Sequence, residues 1–277
     1  MENSLNRIFS KDKNIVIGAI HFAPLFGYKD FPGYDGVLKS ALEDLEAFQD
    51  GGVDGVIIEN NYDVPHKIFV EKETVELMTL LGKEIKKKAK IPVGVSVLWN
   101  DYKSALLIAK NIEAKFIRVP VFVDSVRTNY GDVFVDPETV LKYRKRIKGA
   151  DIAIFTDIHV KHAELLENKS LEESAREAIK FGSDALVITG KWTGDAPDLG
   201  ELKRVRNIVG DFPILTGSGA DKKNIKEILK YANGVIVSTS LKEGGPEENE
   251  VNVKTWMQRT SQKKVKEFMD TIGSDKL

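Results

Sequence analysis

Eight short apolar runs rich in valine and isoleucine recur along the chain, with amphipathic stretches between them. The runs are NIVIGAIHF (14–22), VDGVIIEN (53–60), PVGVSVLW (92–99), KFIRVPVF (115–122), DIAIFTDI (151–158), DALVITG (184–190), FPILTGSG (212–219) and NGVIVSTSL (233–241). Each is short and β-branched, as strands covered on both faces must be. The stretches between them carry a helical period. In GVLKSALEDLEAFQDGG, Leu38, Leu42, Leu45 and Phe48 fall three or four residues apart before a glycine pair stops the helix. Asp136-Pro137 reads as an N-cap followed by proline in the first turn, and Ser170 with Glu173 as a capping box.

Strand and helix alternating eight times predict an α/β protein with a parallel sheet and helices outside it. A doubly wound open sheet shares that alternation. Eight units in 277 residues, with no Pro- or Ser-rich linker, favour a single-domain (β/α)8 TIM barrel over residues 1–277. A last amphipathic helix is expected from about 252 to 270. Helix-to-strand connections are clipped, whereas strand-to-helix connections are long, notably NYDVPHKIFVEKE, VDSVRTNYGDVFVDPE and HVKHAELLENKS. Long loops crown the C-terminal ends of barrel strands, where active sites sit.

Parity sorts the polar residues. Side chains alternate along a strand, so the aliphatic residues that face helices fix which neighbours face the axis. In DIAIFTDIHVK, Ile152, Ile154 and Ile158 take the helix side, which sends Asp157, His159 and, with continued extension, Lys161 inward. In KFIRVPVF, Ile117, Val119 and Val121 go outward and Arg118 and Pro120 inward. His21, Glu59, Asn100, Thr189 and Ser218 turn inward near the ends of their runs, and Lys191 follows Thr189. Such polar groups can satisfy one another as barrel filling. Their convergence from seven strand ends, with almost none at the strand starts, points instead to binding or chemistry.

Glu59, Asp157, His159 and His21 are the acid/base candidates. Arg118 suits a carboxylate or phosphate, or neutralises a neighbouring acid. Lys161 and Lys191 are the inward lysines suited to an imine. Asn100, Arg118, Thr189 and Lys191 are candidate substrate contacts. His21, Glu59, Asp157 and His159 have the ligand types for a divalent zinc, manganese or iron, without a fixed-spacing signature for it. His162 and His66 fall outside the parity pattern and read as solvated. TGSGAD (216–221) and STSLKEGG (238–245) place glycines after the last two strands, where a phosphate grip forms in barrels of this kind. Tight turn geometry needs glycine there too, and the paired occurrence at both loops favours phosphate.

Composition narrows the partners. Forty-one basic and forty-two acidic side chains leave no field to recruit nucleic acid or an anionic membrane. There is no cysteine, which removes thiolate metal sites and cysteine nucleophiles. MENSLNRIFSKDKN lacks the apolar core of a signal peptide, and no segment approaches the ~20 apolar residues of a membrane span, so the expected location is cytoplasmic. A homo-oligomer is compatible with the sequence. No GxxxxGK[ST] is present, and no GxGxxG follows the first strand.

The motifs GAIHFAPLFGY, VDGVIIENNYD, PVGVSVLWNDYKSAL, FIRVPVF, TDIHVKHAELL, VITGKWTG, TGSG and VSTSLKEGG, in that order, resemble the BtpA/SgcQ family from about Ile15 to Gly245. The resemblance implies a (β/α)8 barrel of the ribulose-phosphate-binding type. It implies a phosphate cup at Gly217, Ser218, Gly219, Ser240 and Lys242, and it carries over no established catalytic residue. The family takes its name from a protein of photosystem I biogenesis, while other members accompany sugar-transport and carbohydrate genes. Trp99 stands where the pattern has a smaller residue, and Pro120 where it has asparagine, which removes a polar group from the pocket. The resulting expectation is an enzyme of acid/base chemistry on a small phosphorylated metabolite, such as a sugar-phosphate isomerase, epimerase, lyase or aldolase. The alternative is a non-catalytic assembly factor for a membrane complex or a ligand-sensing scaffold.

Overall fold

The computed structural model describes residues 3–191, 195–244 and 255–273. Eight parallel strands close into a barrel: β1 (Ile15–His21), β2 (Gly55–Glu59), β3 (Val93–Ser96), β4 (Phe116–Val119), β5 (Ala153–Ile158), β6 (Ala185–Ile188), β7 (Ile214–Gly217) and β8 (Gly234–Val237). Ring neighbours are sequence neighbours throughout, and β8 returns to β1 with Gly234 beside Ile15. The expected caps form. Asp136 Oδ1 accepts from the Glu138 N–H at 3.0 Å, and Ser170 and Glu173 make a reciprocal capping box.

Alternation along the strands builds two apolar layers. Val16, Ile20, Val56, Ile58, Ile117, Ile152 and Ile154 meet the helices. Ile15, Ile17, Ile57, Phe116, Phe155, Val187 and Leu215 fill the interior. Phe116 stacks on Phe155 with ring centroids 4.7 Å apart. Gly94 makes room for that pair, since a Cβ there would lie 2.1 Å from the Phe116 ring. The N-terminal helix Ser4–Phe9 packs against this interior cluster: Leu5 is fully buried within it, and the Phe9 ring lies 5.8 Å from Phe116.

Three features depart from the sequence expectation. The long connection after β4 is not irregular. It forms strands Val126–Thr128 and Gly131–Val133, and Ala163–Leu165, from the loop after β5, joins them as a third antiparallel strand. This small sheet covers a satellite core of Trp99, Val121, Val126, Val133 and Val160. Val121 therefore belongs under the cap rather than against a helix, because β4 ends at Val119. The last helix spans Gln262–Gly273, not 252 to 270. Residues 252–254 lie outside the described residues. The stretch before the helix is tied down by a bridge between Lys242 and Thr260, whose N–H donates to buried Asp44 at 2.8 Å.

Candidate active site

A cavity of about 710 Å³ opens at the C-terminal ends of the strands. His21, Glu59 and Arg118 line it at the ends of β1, β2 and β4, with Lys161 from the loop after β5. His21 pairs with Glu59 across β1 and β2, and Glu59 with Ser96 across β2 and β3, so the three share one level of the barrel. His21 Nε2 stands 3.5 Å from Glu59 Oε2. Arg118 Nη1 stands 3.7 Å from Glu59 Oε1, while its Nε and Nη2 donate to the two oxygens of Asp157 at 2.8 and 2.7 Å. One connected row runs His21–Glu59–Arg118–Asp157.

Electrostatics assign different states to its members. Burial lowers the pKa of His21 more than Glu59 raises it, so the imidazole is held neutral. Burial alone would raise the Glu59 pKa, but His21 and Arg118 more than offset it and hold the group a carboxylate. Burial works against the Arg118 cation, yet Asp157 and Glu59 raise its pKa. Burial pushes the Asp157 carboxyl up against the pull of Arg118. Lys161 falls from 10.5 to about 8, first through burial and then through the Arg118 charge, with Glu59 and Asp157 opposing.

Several sequence-predicted residues serve the site from outside the cavity. Asp157 is absent from the cavity lining, its side chain is buried, and each of its oxygens accepts from Arg118. His159 was expected to point inward, but its φ of +49° ends the strand alternation. Its N–H donates to Asp124 Oδ2 at 2.9 Å, and Asp124 is anchored in turn by Ser174. The side chain is absent from the cavity lining, and its Nε2 is buried without a hydrogen bond. The turn at His159 instead delivers Lys161 and His162 to the cavity. Asn100 exchanges two bonds with the Val121 backbone, at 3.0 and 2.8 Å, and ties the β3 loop to the β4 loop. Thr189 Oγ1 accepts from the Lys161 N–H at 3.1 Å. Lys191 is exposed, and its carbonyl accepts from the His162 N–H at 3.2 Å.

The two glycine loops do meet at the mouth. Ser218, Gly219, Ala220, Asp221, Lys222 and Lys223 follow β7, and Ser238, Thr239 and Ser240 follow β8. Ser240 Oγ ties them by donating to the Ala220 carbonyl at 2.7 Å. Gly219 has φ +67°, and a Cβ there would lie 2.2 Å from the Ala196 backbone nitrogen. Gly217 stands behind the cup beside Arg118. Lys242 does not reach it. The turn Thr239–Leu241 carries its side chain under Tyr62, where Nζ donates to the hydroxyl at 3.1 Å. Gly245 and residues 192–194 of the KWTG motif lie outside the described residues.

Part of the wall comes from residues that strand parity does not select. Asn129 and Tyr130, at the tip of the cap hairpin, line the cavity with Asn61, His66 and His162. The turn signal TNYG was the available clue. His66 and His162 are half-buried in that wall rather than fully solvated, and burial, above all, lowers each to about 4. Among the described residues, no three His, Asp or Glu side chains are grouped to hold a metal ion. No helix of the described residues is long and apolar enough to cross a membrane.

Known proteins place this architecture. The phosphoribosylanthranilate isomerase of Pyrococcus furiosus matches with a TM-score of 0.55 at 16% identity, over 94% of this chain and 99% of that one. A structure titled "Native KDPGal structure" matches with a TM-score of 0.55 at 12% identity, over 94% of both chains. At those identities the likeness is one of fold. Sequence relatives are nearer. The photosystem I biogenesis protein BtpA of Synechocystis is 38% identical over 235 residues, 84% of this chain and 82% of that one. The uncharacterized protein PH1209 of Pyrococcus horikoshii is 37% identical over 240 residues, 86% of this chain and 91% of its own. The uncharacterized mitochondrial protein F13E9.13 of Caenorhabditis elegans is 33% identical over 257 residues, 90% and 92% of the two chains. The BtpA family model matches residues 12–269, and the chain belongs to the BtpA family.

Proposed function

We propose that this protein is an enzyme acting on a small phosphorylated metabolite by acid/base chemistry at the barrel mouth. The observation that carries the reading is the His21–Glu59–Arg118 row, buried yet open to a cavity whose rim is the two glycine loops. Burying three ionisable groups in contact is costly, and filling the barrel would need only apolar side chains. A neutral imidazole beside a fixed carboxylate can take and return a proton, and Arg118 stabilises the negative charge that develops on an oxygen. The phosphate would rest between Ser218–Ala220 and Thr239–Ser240, with Lys222 and Lys223 at the rim. Isomerisation, epimerisation and carbon–carbon cleavage all fit this set. The isomerase whose fold the chain shares has a phosphoribosyl group in the name of its substrate, which agrees with this reading.

A thermal-shift panel tests it: inorganic phosphate, several sugar phosphates and their unphosphorylated sugars, each with a divalent metal and with chelator. A ligand that binds only the folded state at ~100 times its Kd adds about 2.7 kcal/mol. Shifts with phosphorylated compounds alone support the enzyme, and chelator sensitivity would bring a metal into the site. A flat panel favours the second reading, a partner-binding role in assembling a membrane complex. That reading has in its favour the name of the Synechocystis relative and the exposed Phe26, Val64 and Phe69.

A further inference from the structure

Lys161 is placed with more structure than a loop lysine needs. Its own N–H is held by Thr189 Oγ1 at the end of the neighbouring strand, and the next N–H, of His162, by the Lys191 carbonyl. Two residues earlier the left-handed turn at His159 is pinned by Asp124, and two residues later the chain enters the cap sheet at Ala163. Four fixed points within five residues aim one amine into the cavity.

What surrounds that amine is chemically specific. Arg118 is a permanent cation in the same enclosed space, held there by the bidentate grip of Asp157. A second cation beside it is disfavoured, and an uncharged amine is a nucleophile. Glu59 lines the same cavity and lacks a hydrogen bond at Oε1. A lysine whose only task was to bind phosphate would gain from staying charged and from sitting at the rim, where Lys222 and Lys223 already are.

We propose that the substrate is an aldehyde or ketone phosphate and that Lys161 captures its carbonyl carbon as an imine. This rests on the phosphorylated-metabolite reading above and narrows it to carbonyl compounds. In the step, the Glu59 carboxylate takes one proton from the Lys161 ammonium, and the freed Nζ lone pair attacks the carbonyl carbon. The carbon–oxygen π pair moves to oxygen, which receives a second proton from nitrogen. Glu59 then returns the first proton to the hydroxyl, the carbon–oxygen bond breaks, and the nitrogen lone pair closes the C=N bond. The ammonium and the carbonyl compound thus give a protonated imine and water, with charge conserved. The bound iminium draws electrons from the adjacent carbon, where His21 stands to move a proton.

The test traps the imine. The full chain is mixed with glyceraldehyde 3-phosphate and, separately, with glyoxylate, reduced with sodium borohydride, and mapped by peptide mass spectrometry. Borohydride delivers hydride to the imine carbon and leaves a stable secondary amine. The expected result is labelling at Lys161 at least tenfold above any other lysine. Its pH midpoint should lie near 8, and glycerol 3-phosphate, which has no carbonyl, should suppress it. Lys161→Met and Lys161→Arg should lose the label while keeping a cooperative thermal transition and the shift given by glycerol 3-phosphate. Labelling at Lys161 no greater than at surface lysines overturns the imine. If glycerol 3-phosphate still stabilises the protein in that case, the phosphate reading stands without it. Strong Lys161 labelling by both probes, unaffected by glycerol 3-phosphate, supports the imine and removes the phosphate.

Discussion

Arg118 grips Asp157 through two parallel hydrogen bonds while its remaining nitrogen stands 3.7 Å from Glu59. A single guanidinium thus links a carboxylate with no open oxygen to one whose Oε1 lacks a hydrogen bond and which lines the cavity. The division of labour between the two acids follows. Under the proposed function, Asp157 fixes Arg118 and Glu59 is left for chemistry. Removing one partner of a buried pair strands the other charge, so Asp157→Ala should cost about 3–5 kcal/mol in urea unfolding. Adding Arg118→Met to it should recover part of that loss. A cost under ~1 kcal/mol for Asp157→Ala would show that Arg118 does not depend on it.

Glu59→Gln keeps the shape of the side chain and removes its capacity to accept a proton. Turnover of the phosphate compound that most stabilises the protein should fall by roughly 10²–10⁴-fold, the range for losing a general acid or base. The thermal shift given by that compound should persist. Loss of the shift together with turnover would make Glu59 a binding group instead.

How far the chain could be read depended on what each inference required. The barrel follows from eight strand–helix alternations, and the layer each aliphatic residue joins from a period of two, which holds while the backbone stays extended. Ile152, Ile154 and Ile158 indeed meet the helices and Phe155 the interior. The rule fails at the first residue that leaves the β region. His159 does so with a φ of +49°, so the chain beyond it could not be phased by counting. The cap sheet was hidden for another reason. Its strands are three residues long, and the pairing of Val126–Thr128 with Ala163–Leu165 links segments whose contact no local pattern encodes. At Asp157 sequence shows a carboxylate, but not that each of its oxygens accepts from the same guanidinium.

Gly219→Ala should damage the cup directly. Alanine at φ +67° is strained, and its Cβ would press on the backbone at Ala196. Strain of this kind costs about 1–3 kcal/mol. The variant should melt lower and respond less to phosphate than wild type. An unchanged response would show that the turn is not part of the binding surface.

The pH dependence of stability should carry the signature of Lys161. Its folded value near 8 lies below the ordinary 10.5. Between those two values the unfolded chain binds more protons, so stability rises with pH across that window. Below pH 8 the full penalty, about 3 kcal/mol, is present. Lys161→Met should therefore be more stable than wild type at pH 7, with the difference shrinking as pH rises from 8 toward 10. Parallel stability curves for the two proteins would place the wild-type amine in an ordinary solvated setting.

Diffraction from crystals soaked in glycerol 3-phosphate tests the account most directly. The phosphate should lie between Ser218–Ala220 and Thr239–Ser240, with the carbon end toward His21, Glu59 and Lys161. An empty mouth at saturating concentration, or a phosphate bound elsewhere on the surface, would contradict the assignment of this cavity as an active site.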